Sequence, residues 1–211
     1  MKIYFANEKG GSGKTTTLLH ISLYLKFYLD NLKLYIIDTD LKQKAIRKIM
    51  IKRVKNNLMS IDLVKSEKID DVLKTTLDEN TFLLIDGRGN ITQEDVKYLE
   101  ASDLVIVPCG VSFLDLESTK EYITFLKSND IKFKVLFTKV NDKEKIEEAR
   151  KFLDTNEIFE SYLPLNDKYS EIFEDGKTSL DESFVNVYKW QMKKQVGCVV
   201  AELLETINFK F

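Results

Sequence analysis

Short apolar runs alternate with longer amphipathic stretches along most of the chain. Runs of about four to eight apolar or β-branched residues are typical of strands buried on both faces, and apolar positions three or four apart are typical of helices. We predict strands at residues 2–6, 33–38, 58–64, 81–86, 103–108, 132–138 and 160–164. We predict helices at residues 14–29, 42–55, 67–77, 93–101, 114–127, 143–154, 169–174 and 184–207. This alternation predicts an α/β fold with a mostly parallel, buried sheet flanked by helices.

The composition excludes several classes of protein. The 211 residues are 44% hydrophobic, and 32 Lys and Arg stand against 34 Asp and Glu. We therefore expect a single domain over residues 1–211 and exclude a disordered or uniformly basic chain. No apolar run approaches the ~18 residues of a membrane span, and the first residues lack the apolar core of a signal peptide, so we expect a cytoplasmic protein. Cys109, Cys198 and His20 are too few and too scattered for a disulfide, zinc or iron–sulfur site.

Three glycines lie within four positions between the first predicted strand and the first predicted helix. Glycines let a loop aim successive N–H groups at phosphate oxygens, and the helix that follows adds the positive end of its dipole. Glu8 stands where a strict Walker A motif has glycine, and two lysines bracket the loop. We expect one lysine to contact the β and γ oxygens of the bound nucleotide and the other a group further out. The alternative is a plain glycine turn. The predicted phosphate-binding residues are Lys9, Gly10, Gly11, Ser12, Gly13, Lys14, Thr15 and Thr16.

Acidic residues end two predicted buried strands. Asp86 follows the apolar run 82–85, which places its carboxylate at the carboxyl edge of the sheet, where Thr15 can join it as a Mg²⁺ ligand. The predicted strand 33–38 ends at Asp38, and Asp40 follows two residues later. Side chains two residues apart on a strand share a face, so both carboxylates can point at one site. We expect one of these two to position the attacking water and the other to stand near the metal. The alternative is that the acids only cap strand ends.

Together the segments 9–15, 38–40 and 85–87 resemble the deviant Walker A ATPases of the ParA and MinD superfamily, which have a three-layer P-loop NTPase fold. The length and the run 102–108 are most similar to the short ParF-like ParA proteins of plasmid partition, and the resemblance covers about residues 1–180. It implies a homodimer that sandwiches two ATP and Mg²⁺, with Lys9 reaching the partner's nucleotide. It also implies that Lys14 is catalytic, that Asp40 positions the water, and that Thr15, Asp38 and Asp86 form the metal site.

The resemblance further implies slow ATP hydrolysis, stimulated by a small ParB-like or ParG-like centromere-binding protein, that drives plasmid segregation. It also implies that the protein associates with the nucleoid. Three departures qualify this expectation. Leu41 and Lys42 stand where the family has Pro-Gln, which predicts slow catalysis. Residues 109–113 lack the prolines linked to polymers, so we predict none. Arg88 stands at a usually small position and faces either phosphate or solvent, of which we expect solvent.

The segment Thr138-Lys139-Val140-Asn141 is one residue from the guanine-reading pattern of GTPases. Reading guanine needs a carboxylate that accepts from both N1–H and the 2-amino group. Asn141 offers one acceptor and a donor, so we predict ATP as the nucleotide.

Charge is polarised along the chain. Residues 41–57 hold seven basic residues and no acid, whereas residues 141–182 hold six bases and thirteen acids. A helix over 42–55 would carry one stripe of lysines opposite a buried face of Ile46, Ile49, Met50 and Val54. This stripe either contacts the DNA backbone or is an ordinary solvated face of the helix. The resemblance points to more C-terminal positions as well. The DNA-contact candidates are Lys44, Lys48, Lys52, Lys55, Lys189, Lys193 and Lys194.

Three other readings remain. A MinD-like membrane ATPase needs a basic amphipathic tail, but residues 196–211 carry two glutamates against one lysine, so we expect no membrane partner. A polysaccharide-type tyrosine kinase would end in a tyrosine cluster, and the last tyrosine is Tyr188. A non-hydrolysing, nucleotide-gated scaffold would bind ATP only to dimerise, which a change at Asp40 would distinguish.

Overall fold

A computed structural model describes residues 1–40, 43–89, 92–184 and 186–209. Its strands form one six-stranded sheet in the order β3-β2-β4-β1-β5-β6, and all neighbouring pairs are parallel. The predicted α/β class is confirmed. The strands are β1 (Lys2–Phe5), β2 (Lys33–Asp38), β3 (Asp62–Leu63), β4 (Thr81–Asp86), β5 (Leu104–Cys109) and β6 (Phe133–Phe137).

Helices cover both faces of the sheet. Side chains alternate along each strand, so that Ile3 and Phe5 face one apolar cluster while Tyr4 faces the other. In the described residues, no helix is long and apolar enough to cross a membrane. The helices are α1 (Lys14–Tyr28), α2 (Ala45–Lys55), α3 (Ile69–Lys74), α4 (Gln93–Ala101), α5 (Phe113–Ser128), α6 (Glu144–Leu153), α7 (Glu171–Asp175) and α8 (Lys189–Thr206), with 3₁₀ turns at Ser66–Lys68 and Asp167–Ser170.

Two predicted strands are wrong in whole or in part, because side chains take the backbone groups that a strand would use. The strand predicted at 58–64 shrinks to β3, since the Met59 carbonyl accepts from Arg53 Nε. The strand predicted at 160–164 does not form. The backbone N–H groups of Glu160 and Ser161 donate to the carboxylate of Glu202 at 2.8 and 2.9 Å, which leaves only the isolated bridge between Val140 and Pro164 in that stretch.

Three predicted helices differ from the observed helices by three residues or more at one end. The helix predicted at 67–77 ends at Lys74, because Thr75 turns to extended backbone and its hydroxyl donates to the Asp71 carbonyl. The last helix begins at Lys189 rather than 184, after Asn186 Oδ1 accepts from the N–H of Tyr188. The helix predicted from residue 42 begins at Ala45, and its first predicted residue lies outside the described residues.

Candidate nucleotide-binding site

The loop between β1 and α1 has the backbone of a phosphate cradle. Gly11 and Gly13 adopt φ of 74° and 93°, a left-handed conformation that glycine adopts without strain. A Cβ added at Gly10 or Gly11 would meet no atom within 4 Å, so the loop faces open space. Helix α1 begins directly after Gly13, which aims its first N–H groups at this space.

Lys14 folds back over the loop. Its Nζ donates to the carbonyls of Asn7 and Lys9 at 3.1 and 3.0 Å and lies 3.5 Å from Ser12 Oγ. Burial lowers the pKa of Lys14, an effect that the nearby Asp86 carboxylate opposes. The ammonium is thus held inside the cradle by neutral acceptors, in the place where phosphate oxygens would be its partners.

Lys9 has a different partner from Lys14. Its Nζ forms an ion pair with Asp115 Oδ1 at 2.6 Å, and about a third of its side chain is exposed. Burial favours a raised pKa at Asp115, but hydrogen bonds from Lys9 and Ser112 hold it below its usual value. The two lysines of the loop therefore face different surroundings, one inside the cradle and one at its rim. Sequence reasoning did not identify Asp115.

Three further residues that sequence reasoning missed hold the loop in place. Asn7 Nδ2 donates to the Pro108 carbonyl at 2.9 Å and to Thr119 Oγ1 at 3.0 Å. Thr138 Oγ1 donates to the Ser12 carbonyl at 2.9 Å, and Lys139 Nζ donates to the Gly11 carbonyl at 2.6 Å. The pair Thr138-Lys139 was examined only as a guanine-reading motif, whereas its contacts are with the phosphate loop.

Two carboxylates lie side by side at the carboxyl edge of the sheet. The β2–β4 register pairs Asp38 with Asp86, and Thr15 Oγ1 donates to Asp86 Oδ2 at 2.7 Å. Asp86 Oδ1 and Asp38 Oδ2 are buried without hydrogen-bond partners. Burial raises the pKa of Asp86 to about 7 despite the Thr15 hydrogen bond, and the Asp38 charge adds to the rise. Burial also raises the pKa of Asp38.

These unsatisfied oxygens fit a hard cation. No group of three or more His, Cys, Asp or Glu side chains within the described ranges could hold a metal by itself. Mg²⁺ in nucleotide sites is held by one or two carboxylates, with water and phosphate completing its shell, so Asp38 and Asp86 together with the Thr15 hydroxyl would suffice. Bound there, the ion would neutralise the two carboxylates and polarise phosphate oxygens.

Asp40 lies next to this pair. Its N–H donates to Asp38 Oδ1 at 3.1 Å, and its Oδ1 accepts from the N–H of Gln43 at 2.9 Å. Asp40 therefore closes the turn that leads into α2. Its predicted role with water stays a prediction, and Leu41 and Lys42, which replace the family's Pro-Gln, lie outside the described residues.

The Arg88 side chain is about one-third exposed and lies beside two acidic side chains. The segment around it lies against the phosphate loop, since a Cβ on Gly89 would come within 3.3 Å of Gly10 Cα. The Arg88 guanidinium turns toward the first turn of α4, 3.5 Å from Glu94 and 4.0 Å from Asp95. The expectation of a solvent-facing side chain is thus only partly right.

A cavity of about 290 Å³ opens beside the start of α1. It has the size of a small-ligand subsite and adjoins the phosphate loop, which suits a nucleotide base. A larger open groove of about 1660 Å³ lies at the opposite, amino edge of the sheet, away from the loop. The smaller cavity is lined by Gly13, Thr16, Thr17, Thr138, Lys139, Leu163, Pro164, Leu165, Asn166, Asp167, Tyr169 and Ser170.

The predicted lysine stripe on α2 is not a single solvated face. Lys44 precedes the helix, and Lys48 and Lys55 are exposed, but Lys52 Nζ donates to the carbonyls of Phe173 and Glu174. The prediction of a buried Val54 is wrong, because this residue is 60% exposed and Arg53 is buried in its place. Both Arg53 terminal nitrogens pair with Asp181 at 2.9 Å. Part of the positive charge of 41–57 is therefore neutralised by the acidic segment it packs against.

The three C-terminal lysines have unlike surroundings. Lys189 Nζ donates to the Asp181 carbonyl at 2.8 Å. Lys193 Nζ lies 5.3 to 5.6 Å from the centres of three aromatic rings. Lys194 is exposed.

Comparison with known proteins supports the fold. A family model described as an AAA domain matches residues 1–102. No curated protein matches the sequence. A MinD septum site-determining protein from Pyrococcus horikoshii, solved with Mg-ADP, is 16% identical with a TM-score of 0.73, and covers 100% of this chain and 99% of its own.

Two further solved structures are similar. A candidate plasmid partition protein of Borrelia burgdorferi, bound to AMPPNP, is 14% identical with a TM-score of 0.71 over 97% of this chain and 98% of its own. The McdA(D38A)–ATP complex of Cyanothece is 14% identical with a TM-score of 0.66 over 100% and 97%. The six-stranded sheet thus has the fold of these solved structures, and the predicted P-loop NTPase fold is confirmed.

Proposed function

We propose that this chain is a Mg²⁺-dependent ATP hydrolase, one folded domain over residues 1–211, which dimerises around two ATP molecules and is reset by hydrolysis. The observation that carries the proposal is the division between the two loop lysines. Lys14 is buried in the cradle of its own chain, whereas Lys9 lies at the rim, 2.6 Å from Asp115. A cation at the rim is not needed by the nucleotide of its own loop and is available to a nucleotide opposite.

The carboxylate pair supports the hydrolytic part of the proposal. Thr15, Asp38 and Asp86 supply the oxygens for Mg²⁺, and Lys14 supplies the positive charge for the transferred phosphoryl group. Asp40, beside Asp38, orients the attacking water. We expect Asp40→Ala to retain ATP-dependent dimers and to lose phosphate release. Unchanged phosphate release would remove Asp40 from this role and leave a nucleotide-gated scaffold as the better account.

We further propose that the ATP dimer positions DNA cargo, a plasmid by resemblance, with help from a small ParB-like or ParG-like centromere-binding protein. The exposed basic side chains of α2 support a contact with the phosphate backbone, since Arg47, Lys48 and Lys55 have no acidic residue on their own helix. Lys52 and Lys189 fit this role less well, because backbone carbonyls already hold their ammonium groups.

The experiment is sedimentation together with duplex-DNA retention, in ADP or AMPPNP and at two salt concentrations. We expect AMPPNP-dependent dimers that retain DNA in the wild type and not in Lys9→Ala. The matched control is Lys97→Ala, which removes another half-exposed ion pair, that with Asp70, away from the loop. A wild type that stays monomeric with AMPPNP would contradict the dimer. Dimers that ignore DNA would contradict the DNA cargo only.

A further inference from the structure

The start of α8 and the end of α1 expose an unusual concentration of apolar side chains. Trp190 is 77% exposed and Val187 is 88% exposed, the two highest values among the large hydrophobic residues described. Tyr188, Phe27 and Tyr28 are each about half exposed. Lys193 joins three of them into one surface, because its Nζ lies 5.5, 5.3 and 5.6 Å from the ring centres of Phe27, Tyr28 and Trp190. Val187 and Tyr188 lie beside Trp190 in the chain. We call these six residues the aromatic patch.

The patch carries positive charge without a counter-charge on its own elements. Helix α1 contains no acidic residue, and α8 contains none before Glu202. Lys26 and Lys194 lie next to the patch in the chain, and Lys194 is exposed. Asp30, two residues after Tyr28, is an exposed acid, so the charge around the patch is positive on balance. A partner that fits must therefore be anionic and must also accept apolar side chains.

We propose that the aromatic patch docks on the surface of an anionic lipid membrane. Tryptophan and tyrosine are enriched where a protein meets the headgroup region, and lysines beside them are attracted to anionic lipids. Phosphate contacts alone, as on duplex DNA, would leave Trp190 and Val187 without an apolar environment. The contact is distinct from the C-terminal tail, for which the sequence predicts no membrane role.

The patch is compatible with the proposed dimer. Helix α1 starts at the phosphate loop and ends at the patch, and 15 residues of helix separate the two by roughly 20 Å. A nucleotide sandwich closed at the loop would leave both patches uncovered. A single subunit carries the whole patch, so membrane docking does not depend on the proposed dimer.

Trp190 is the only tryptophan in the chain, so its fluorescence reports on the patch alone. The experiment titrates the full chain, in ADP, with phosphatidylcholine vesicles that contain or lack phosphatidylglycerol, and with duplex DNA. We expect a blue shift with the anionic vesicles only. In vesicle co-sedimentation, we expect Trp190→Ala to weaken binding about tenfold or more and Lys194→Gln about fivefold. The controls are Phe125→Ala, a partly exposed aromatic on α5, and Lys151→Gln, an exposed lysine on α6.

The outcomes separate this inference from the proposed function. Binding to anionic vesicles in ADP would support the patch whether or not the protein dimerises in AMPPNP, so failure of the dimer leaves the patch standing. An absent blue shift with anionic vesicles, an equal shift with neutral vesicles, or a shift with DNA instead would overturn the lipid assignment. If Trp190→Ala and Lys194→Gln keep the circular dichroism spectrum and the melting temperature of the wild type, misfolding is excluded as the cause of weaker binding.

Discussion

Lys9 Nζ lies 2.6 Å from Asp115 Oδ1, so the lysine that we assign to the partner's nucleotide is held by an acid of its own chain. Both side chains are partly exposed, and such an ion pair contributes about 1 kcal/mol or less. A nucleotide brought by a second subunit can therefore compete for Lys9. Breaking this ion pair therefore costs a small amount of free energy when the dimer forms, and a substitution at Asp115 tests that cost.

Asp115→Asn should favour the ATP dimer. The change removes the negative partner of Lys9 with little change in size. Each dimer has two such pairs, so the protein concentration that gives half dimer in AMPPNP should fall by up to about 30-fold. Sedimentation equilibrium measures this concentration. Asp70→Asn, which breaks the exposed pair with Lys97, is the control and should have no effect. A weaker dimer in Asp115→Asn would show that Asp115 supports the interface rather than restrains Lys9.

Asp86→Asn should stabilise the nucleotide-free protein and abolish its response to Mg²⁺. Burial raises the pKa of Asp86 to about 7, so above that pH the folded state holds a charge that the unfolded chain carries at lower cost. At pH 8 we expect the free energy of unfolding to rise by about 1 to 3 kcal/mol. Urea titrations with and without Mg²⁺ and ADP measure both effects. A destabilised variant that still responds to Mg²⁺ would argue against the metal assignment.

His20 should make the protein sensitive to mild acid. It is fully buried, its Nε2 lies 2.9 Å from the Tyr169 carbonyl, and burial lowers its pKa to about 4. The unfolded chain takes up the proton near pH 6.5, so the stability due to neutral His20 is complete above that pH and is lost as the pH falls toward 4. The loss over this range is about 3 kcal/mol.

His20→Gln retains a donor for the Tyr169 carbonyl and cannot take up a proton. Its free energy of unfolding should fall less steeply than that of the wild type between pH 6.5 and 4. Urea titrations at four pH values give both slopes. Equal slopes would mean that His20 does not titrate in this range.

Arg53 is predicted to act in folding and not in DNA binding. Its guanidinium is fully buried and pairs with Asp181 from two nitrogens. Removing one partner of a buried pair leaves an uncompensated charge, so Asp181→Asn should lower the free energy of unfolding by about 3 to 5 kcal/mol. Lys48→Gln, an exposed neighbour on the same helix, should leave stability unchanged. Chemical denaturation measures both, and a neutral Asp181→Asn would contradict the buried pair.

The parts of the site that lie close in sequence could be predicted. The glycine loop, the helix after it and the acids that end β2 and β4 are local patterns, and the structure places them at one edge of the sheet. The missed contacts join distant segments, as Asp115 with Lys9, Thr138 with Ser12, and Asp181 with Arg53 show. Helix periodicity alone predicted a buried Val54. It could not show that Asp181, far away in the sequence, pairs with Arg53 and allows Arg53 to be buried instead.

The central claim is that Lys9 acts on the nucleotide of the partner subunit, and mixing two inactive variants tests it most directly. Lys9→Ala retains Asp40 and needs a lysine from its partner, whereas Asp40→Ala retains Lys9 and forms ATP dimers. Each mixed dimer has one complete site of two, so we predict phosphate release above the mean of the two separate variants, reaching about a quarter of the wild-type rate where the subunits pair at random. Phosphate release that stays at the mean of the two separate variants would show that Lys9 acts within its own subunit.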